Sequence, residues 1–366
     1  MLRTPPLPDF PWDSLETAKK TAEEHADGIV NLSVGTPVDP VAPGIQLALA
    51  ESGAAPGYPQ TAGTSELREA IASALQRRYR MQASTDAVLP VVGTKEAIAW
   101  LPTLLGAKSV VIPELAYPTY EVSARLARAN ILRADSLTQI GPGRPDLLYI
   151  NSPSNPTGKV LGIEHLRKVV GWAQSRGVIV ASDECYLGLG WQGEDEAEPL
   201  SILDPRVCDG DTTNLLAIHS LSKTSNLASY RAGYFAGDPE IVNALLQARK
   251  HAGLIVPGPI QAAMVSALED DAHELEQKQR YAARRAALLG AVLDAGFRVD
   301  NSEAGLYLWA TRDEPCRDSV DWFARRGILV APGEFYGPKG KNHVRISLTE
   351  TDERIAAAVT RLRENQ

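Results

Sequence analysis

With 3 cysteines in 366 residues, an odd number without a CxxC pair, the chain offers neither a disulfide framework nor a zinc pattern. Cys185, Cys208 and Cys316 read as reduced packing thiols. Positive charge is also short: 37 Lys and Arg stand against 45 Asp and Glu, giving a formal charge of -8 and a pI near 5.4. No basic footprint is left for nucleic acid or for an anionic membrane, so small molecules are the expected partners. No uninterrupted apolar run reaches the ~18 residues a membrane span needs. Met1-Leu2-Arg3-Thr4 runs straight into Pro5 and Pro6, without the apolar core of a signal peptide, and the expected location is the cytoplasm. Internal repeats, low-complexity tracts and long linkers are missing too. Even the glycines of Gly141-Pro142-Gly143 make no dinucleotide fingerprint, because they precede their strand and lack a third glycine.

What is present is an ordinary globular composition, 44% apolar and 22% charged, on a chain long enough for two packed domains. A unit recurs along its first two thirds: a short apolar strand ending in polar residues, then a helix. Ala87 to Val92 turns through Gly93-Thr94-Lys95 into a helix over Glu96 to Leu104, and Ser109 to Ile112 runs into Tyr117-Pro118. Asp146 to Ile150 ends in Asn151 to Gly158, and Val178 to Ala181 ends in Ser182-Asp183-Glu184-Cys185-Tyr186. This rhythm predicts an α/β fold, a largely parallel doubly wound sheet with its site at the strand carboxyl ends. The later segments alternate helices with strands near 297–299, 306–309, 328–330 and 343–348, which suggests a smaller α+β lobe completed by the N-terminal arm. A long charged helix over 274–295 reads as a strut between the two. The expected division is 46–255 for the large domain, with 1–45 and 256–366 forming the small one.

The chain centres on Ser220-Leu221-Ser222-Lys223, between the strands Asn214 to His219 and Ala232 to Gly237, with Arg231 eight residues past the lysine. A lysine in a loop between buried strands is partly withdrawn from water, which favours the neutral amine that attacks a carbonyl. Hydroxyls and an arginine beside it suit a phosphate. The turn at Gly93 would leave backbone NH groups of Thr94 and Lys95 free to cradle an anion. Gly35 allows backbone to come close to a ligand.

Taken together, Gly57-Tyr58 with Gly63, Gly93-Thr94-Lys95-Glu96-Ala97, Tyr117-Pro118, Asn155-Pro156-Thr157-Gly158, Asp183-Glu184-Cys185-Tyr186, Ser220-Leu221-Ser222-Lys223, Arg231 and Arg345 resemble the class I/II aminotransferases. These are fold-type I transferases that use pyridoxal 5'-phosphate, with a mostly parallel sheet in the large domain and a smaller α+β domain. The resemblance covers nearly the whole chain and implies a role for each residue. Lys223 would anchor the cofactor and carry the proton at the substrate's alpha carbon. Asp183 would face the ring nitrogen, Asn155 and Tyr186 the phenolic oxygen, and Tyr117 the ring face. Gly93, Thr94, Lys95, Ser220, Ser222 and Arg231 would surround the phosphate, joined by Tyr58 from the other subunit of a homodimer. Arg345, Asn155 and the Gly35 backbone would hold the substrate's alpha-carboxylate. No metal is expected. Ser225 and Ser229-Tyr230 depart from the aromatic and Gly-Trp that relatives often carry around the lysine, so the pocket wall is expected to differ.

Within that family, Phe10-Pro11-Trp12-Asp13 and Ser33 to Pro40 look most like the succinyldiaminopimelate transaminases of lysine biosynthesis. The implied reaction moves an amino group between glutamate and N-succinyl-2-amino-6-oxopimelate, whose far carboxylates would need further donors. The same scaffold also supports another amino acid substrate, aspartate or aromatic, or a carbon-sulfur lyase. A cofactor-binding transcriptional sensor would carry a basic helix-turn-helix arm, which this sequence does not show.

Overall fold

A computed structural model describes residues 7–191 and 198–364. The reading of Met1 to Thr4 lies outside those residues. Strands follow in chain order as β1 (Val30–Asn31), β2 (Val88–Val92), β3 (Ser109–Ile112), β4 (Asn130–Arg133), β5 (Leu147–Asn151), β6 (Ile179–Asp183) and β7 (Leu215–Ser220). They continue as β8 (Ala232–Gly237), β9 (Arg298–Val299), β10 (Tyr307–Thr311), β11 (Ile328–Leu329), β12 (Ala331–Pro332) and β13 (Val344–Ser347).

The large sheet has 7 strands in the order β2-β8-β7-β6-β5-β3-β4. All run parallel except β8, which is antiparallel to both neighbours. Its central strands carry continuous apolar runs because both faces are covered. Val180, Leu215 and Ala217 face one hydrophobic core, and Ala181, Leu216 and Ile218 face another. Strand β4 escaped the sequence reading: it is an edge strand with Asn130 and Leu132 exposed, so no apolar run marks it.

The orientation of β8 decides where the site lies. Because β8 runs against β7, its first residues sit beside the last residues of β7, with Ser220 opposite Gly233. Its other neighbour, β2, ends at the same place, with Val92 opposite Ala232. Three points far apart in sequence, Gly93-Thr94, Ser220 and Arg231, therefore meet at one end of the sheet. Asn151 and Asp183 are register partners at that same end.

A second sheet, β12-β13-β10-β9, is antiparallel, and β1 pairs with β11. Their core draws on Leu306, Leu308, Val344 and Ile346 together with Leu15, Leu32 and Phe323. The helix Asp271–Asp294 bridges the sheets: Gln277 receives a hydrogen bond from Asn226 and gives one to Asp39, while Leu288, Ala291 and Val292 enter the smaller core. The helices Pro43–Glu51 and Gly258–Glu269, on either side of the expected division, both bury residues in the large-sheet core, among them Ile45, Met264 and Leu268. Helix Ser65–Tyr79 is capped at its start by the Thr64 hydroxyl, which accepts from the Leu67 amide.

Candidate active site

A cleft of about 700 Å³ opens at the carboxyl end of the large sheet and is closed on its far side by the smaller one. Gly35, Thr94, Lys95, Tyr117, Asn155, Asp183, Tyr186, Ser220, Ser222, Lys223, Arg231 and Arg345 all line it. Two of the expected residues do not. Gly93 lies just behind the wall, and Tyr58 is 99% exposed on the surface.

Lys223 sits on the short helix Leu221–Thr224 directly after β7, rather than in a loop. Its Nζ donates to the Gly35 carbonyl at 2.5 Å. The Ser220 hydroxyl caps that helix by accepting from the Ser222 amide at 3.1 Å. Arg231, in the left-handed region with φ 57°, donates to the Ala228 carbonyl at 2.8 Å. Its guanidinium lies so close over Gly93 that a Cβ there would collide with it, and Gly93 itself has φ 75°. Helix Thr94–Leu104 opens beside this arginine. Unpaired helix-start amides, two serine hydroxyls and one fixed cation make a receptor for a phosphate-sized anion.

Asp183, at the end of β6, is buried, and its carboxylate accepts from the Tyr120 hydroxyl at 2.6 Å and from the Cys185 amide at 3.2 Å. Burial raises its pKa above the ordinary carboxylate value. An acid in such a place is best satisfied by a cationic partner. Tyr120 escaped the sequence reading; it lies three residues past the expected Tyr117, on the helix Pro118–Leu126 that Tyr117 precedes, and stacks on Tyr149 with ring centres 4.9 Å apart. Burial pushes the Tyr117 phenol up to about 12 and the Cys185 thiol up as well, so both stay protonated at neutral pH.

Arg345 comes from β13 and is buried at 3% exposure. It donates to Asn155 Oδ1 at 2.9 Å and to the Ser33 carbonyl at 2.8 Å, while its Nε has no partner. A buried guanidinium with capacity left over, facing a cleft, is suited to a carboxylate. Asn155 is held in turn by its own amide, which donates to Asn151 Oδ1 at 2.7 Å. Tyr307, at the start of β10, is a second aromatic the sequence did not single out. Its hydroxyl is 3.1 Å from that of Tyr186. Among the described residues no cluster of His, Cys, Asp and Glu could hold a metal ion.

The sequence matches the family described as aminotransferase class I and II over residues 27–362. The chain belongs to the class I and II aminotransferases. Members of this family use pyridoxal 5'-phosphate. The chain is 69% identical to a probable aminotransferase of Mycobacterium tuberculosis, covering 97% of this chain and 85% of that one. It is 54% identical to the 4-dedimethylamino-4-oxo-anhydrotetracycline transaminase OxyQ of Streptomyces rimosus, covering 97% and 99%. Among solved structures, a probable N-succinyldiaminopimelate aminotransferase from Thermus thermophilus superposes with a TM-score of 0.86 at 26% identity, covering 97% of this chain and all of that one. The fold is thus that of the fold-type I aminotransferases. No helix among the described residues is long and apolar enough to cross a membrane.

Proposed function

We propose that the chain is a ping-pong transaminase in which glutamate and 2-oxoglutarate form one substrate pair and N-succinyl-LL-2,6-diaminopimelate and its 6-oxo counterpart the other. The observation that carries the transaminase reading is the placing of Lys223, Asp183 and Arg345 around a single cleft, since the three arrive from β7, β6 and β13. The donor set fits pyridoxal 5'-phosphate: Thr94, Lys95, Ser220, Ser222 and Arg231 would hold its phosphate, and Asp183 its ring nitrogen. Asn155 and Tyr186 would hold its phenolic oxygen, with Tyr117 on the ring. When bound, the cofactor supplies a carbonyl that captures the amino group and a ring that draws electrons from the alpha carbon. Arg345, with Asn155 and the Gly35 backbone, orients the substrate by its alpha-carboxylate. Lys223 Nζ would accept the proton that leaves the alpha carbon and deliver it to the cofactor's carbonyl carbon. The Asp183 carboxylate would keep a proton on the ring nitrogen.

The large domain in this reading comprises residues 43–269, taking in both helices that enter the large-sheet core, and residues 7–42 and 270–364 form the small one. The working unit is a cytoplasmic homodimer in which Tyr58 reaches the neighbouring site. The structural likeness to the Thermus thermophilus protein supports the diaminopimelate pair. A second reading is favoured by the cleft lining, in which Leu7, Phe10, Trp12, Ile98 and Val122 make part of the wall apolar. Such a wall suits a bulky ketone of the kind named for the OxyQ relative.

The test is a half-reaction. Cofactor-loaded protein is mixed with glutamate, and separately with succinyldiaminopimelate, while the cofactor's absorbance is followed. Conversion by both is expected. Conversion by glutamate alone removes the diaminopimelate pair in favour of the bulky ketone, and no conversion by either removes the transaminase in favour of a lyase.

A further inference from the structure

The second sheet brings to the cleft a side chain to which none of the roles above belongs. Tyr307 opens β10, and Trp309 two residues on is the register partner of Arg345 on β13, so Tyr307 and Arg345 lie diagonally on one face of the sheet. The Arg345 guanidinium carbon sits 3.9 Å from the centre of the Tyr307 ring and 5.0 Å from that of Tyr336, both buried. The cation thus lies over two aromatic rings, the nearer being Tyr307. The Tyr307 hydroxyl meets Tyr186 at 3.1 Å, and the two rings are edge to face at 5.7 Å. Its hydroxyl also fills the space where Gly35 would carry a Cβ. The Gly35 carbonyl is the group to which Lys223 donates. One tyrosine therefore touches or abuts the elements that present the carboxylate clamp, the second phenol and the lysine.

We infer that Tyr307 is a positioning residue for transamination: its ring fixes the plane of Arg345 for the substrate carboxylate, and its hydroxyl steers the Tyr186 phenol toward the cofactor's phenolic oxygen. This rests on the transaminase reading of the cleft. The titratable and charged groups around Tyr307 are Tyr186 and Cys185 after β6, Lys223 after β7, Arg345 on β13, Tyr117, Tyr336 and, on the long helix, Tyr281. Burial alone would push the Tyr307 phenol up, but Arg345 and Lys223 hold it below its ordinary value, while burial and Tyr307 push Tyr186 up. Either hydroxyl of the pair can donate to the other, and once Tyr186 gives its own hydrogen to a ligand the Tyr307 hydroxyl is left as the donor between them. A donor behind Tyr186 strengthens the bond that Tyr186 itself gives.

The two contacts of Tyr307 separate by substitution in cofactor-loaded protein. Tyr307→Phe keeps the ring and loses the hydroxyl. A weaker Tyr186 bond leaves more negative charge on the cofactor oxygen, which holds its nearby proton more tightly. The pH midpoint of the visible absorbance is therefore expected to rise by roughly half a unit or more, with KM for glutamate within about twofold. Tyr307→Leu loses the ring as well, and KM for glutamate is expected to rise roughly tenfold, the size of a desolvated cation–π contact. In a Tyr186→Phe background the further change Tyr307→Phe should leave the midpoint where Tyr186→Phe put it. An unmoved midpoint in Tyr307→Phe, a full additive shift in the double variant, or an unchanged KM in Tyr307→Leu overturns the inference. Circular dichroism of each variant separates these results from loss of fold. Wild-type protein that takes up the cofactor without responding to glutamate would instead unseat the transaminase reading.

Discussion

At the scale of single residues, the cleft divides labour among side chains whose chemistry leaves little overlap. Lys223 is the amine that lines it with a close backbone acceptor, the Gly35 carbonyl. Replacing it with alanine is expected to abolish the borohydride-trapped adduct between protein and cofactor, measured by intact mass. Persistent trapping would move the anchor to another lysine. Asp183→Ala removes the buried carboxylate that Tyr120 and Cys185 hold in place. Cofactor attachment should survive, but the glutamate half-reaction is expected to slow by roughly 100-fold or more, as when a positioned proton-holding group is lost. A near-normal rate would mean that some other group keeps the ring protonated. Arg345→Lys exchanges a planar fork for a point charge. KM for glutamate should rise roughly tenfold or more, in line with a lost charged hydrogen bond, and a KM unchanged within error would dismiss the clamp.

Among elements, a buried ion pair ties the long helix to the segment between β1 and the helix Pro43–Glu51. Arg284, on the long helix Asp271–Asp294, donates to both oxygens of Asp39 at 2.7 Å, and Gln277 of the same helix donates to Asp39 as well. Arg284 is almost fully buried and Asp39 nearly so. Burial alone would raise the Asp39 pKa, yet the bonds from Arg284 and Gln277 bring it below the ordinary value. A carboxylate depressed in the folded state contributes stability that is present above its unfolded pKa, near 4, and is lost as pH falls through the folded value. Asp39→Asn should lower stability at pH 7 by about 2 kcal/mol, because the buried Arg284 loses a bidentate charged partner and keeps only the exposed Asp352 at 2.7 Å. The gap between the variant and the unsubstituted protein should shrink below pH 4. Urea midpoints at pH 7 and pH 3.5 check this, and a gap of equal size at both would assign the loss to something other than charge.

At the scale of the whole molecule, Tyr58 stands apart. It is almost fully exposed and distant from the cleft of its own chain, yet it belongs to the motif set that otherwise gathers there. If it serves a second subunit, defects in Tyr58 and Lys223 should complement. Tyr58→Phe alone should weaken cofactor binding by roughly tenfold or more, and Lys223→Ala alone should be inactive. A hybrid of the two contains one site with both residues intact. Mixing the refolded variants is therefore expected to restore activity with unsubstituted cofactor affinity, followed by titration of the cofactor. No recovery in demonstrated hybrids would place Tyr58 outside the site.

Much of this molecule could be read without coordinates because its working residues punctuate the ends of apolar strands. Asn155 follows β5, Asp183 ends β6, Ser220 ends β7 and Arg231 precedes β8, each marked by an abrupt change from apolar to polar. Local pattern therefore determined the parallel sheet, the strand ends and the chemistry placed there. Edge strand β4 was hidden because its alternating exposure leaves no such run. Tyr307 was hidden for a different reason, since a tyrosine between Leu306 and Leu308 reads as core, while no local pattern marks Tyr120 or Tyr336. Tyr307 meets Tyr186 across 121 residues, and Arg345 reaches Asn155 across 190. Only the tertiary structure decided those meetings, because they depend on how the second sheet docks against the ends of β5 and β6 and on the register of β10 against β13. No sequence neighbour records any of these.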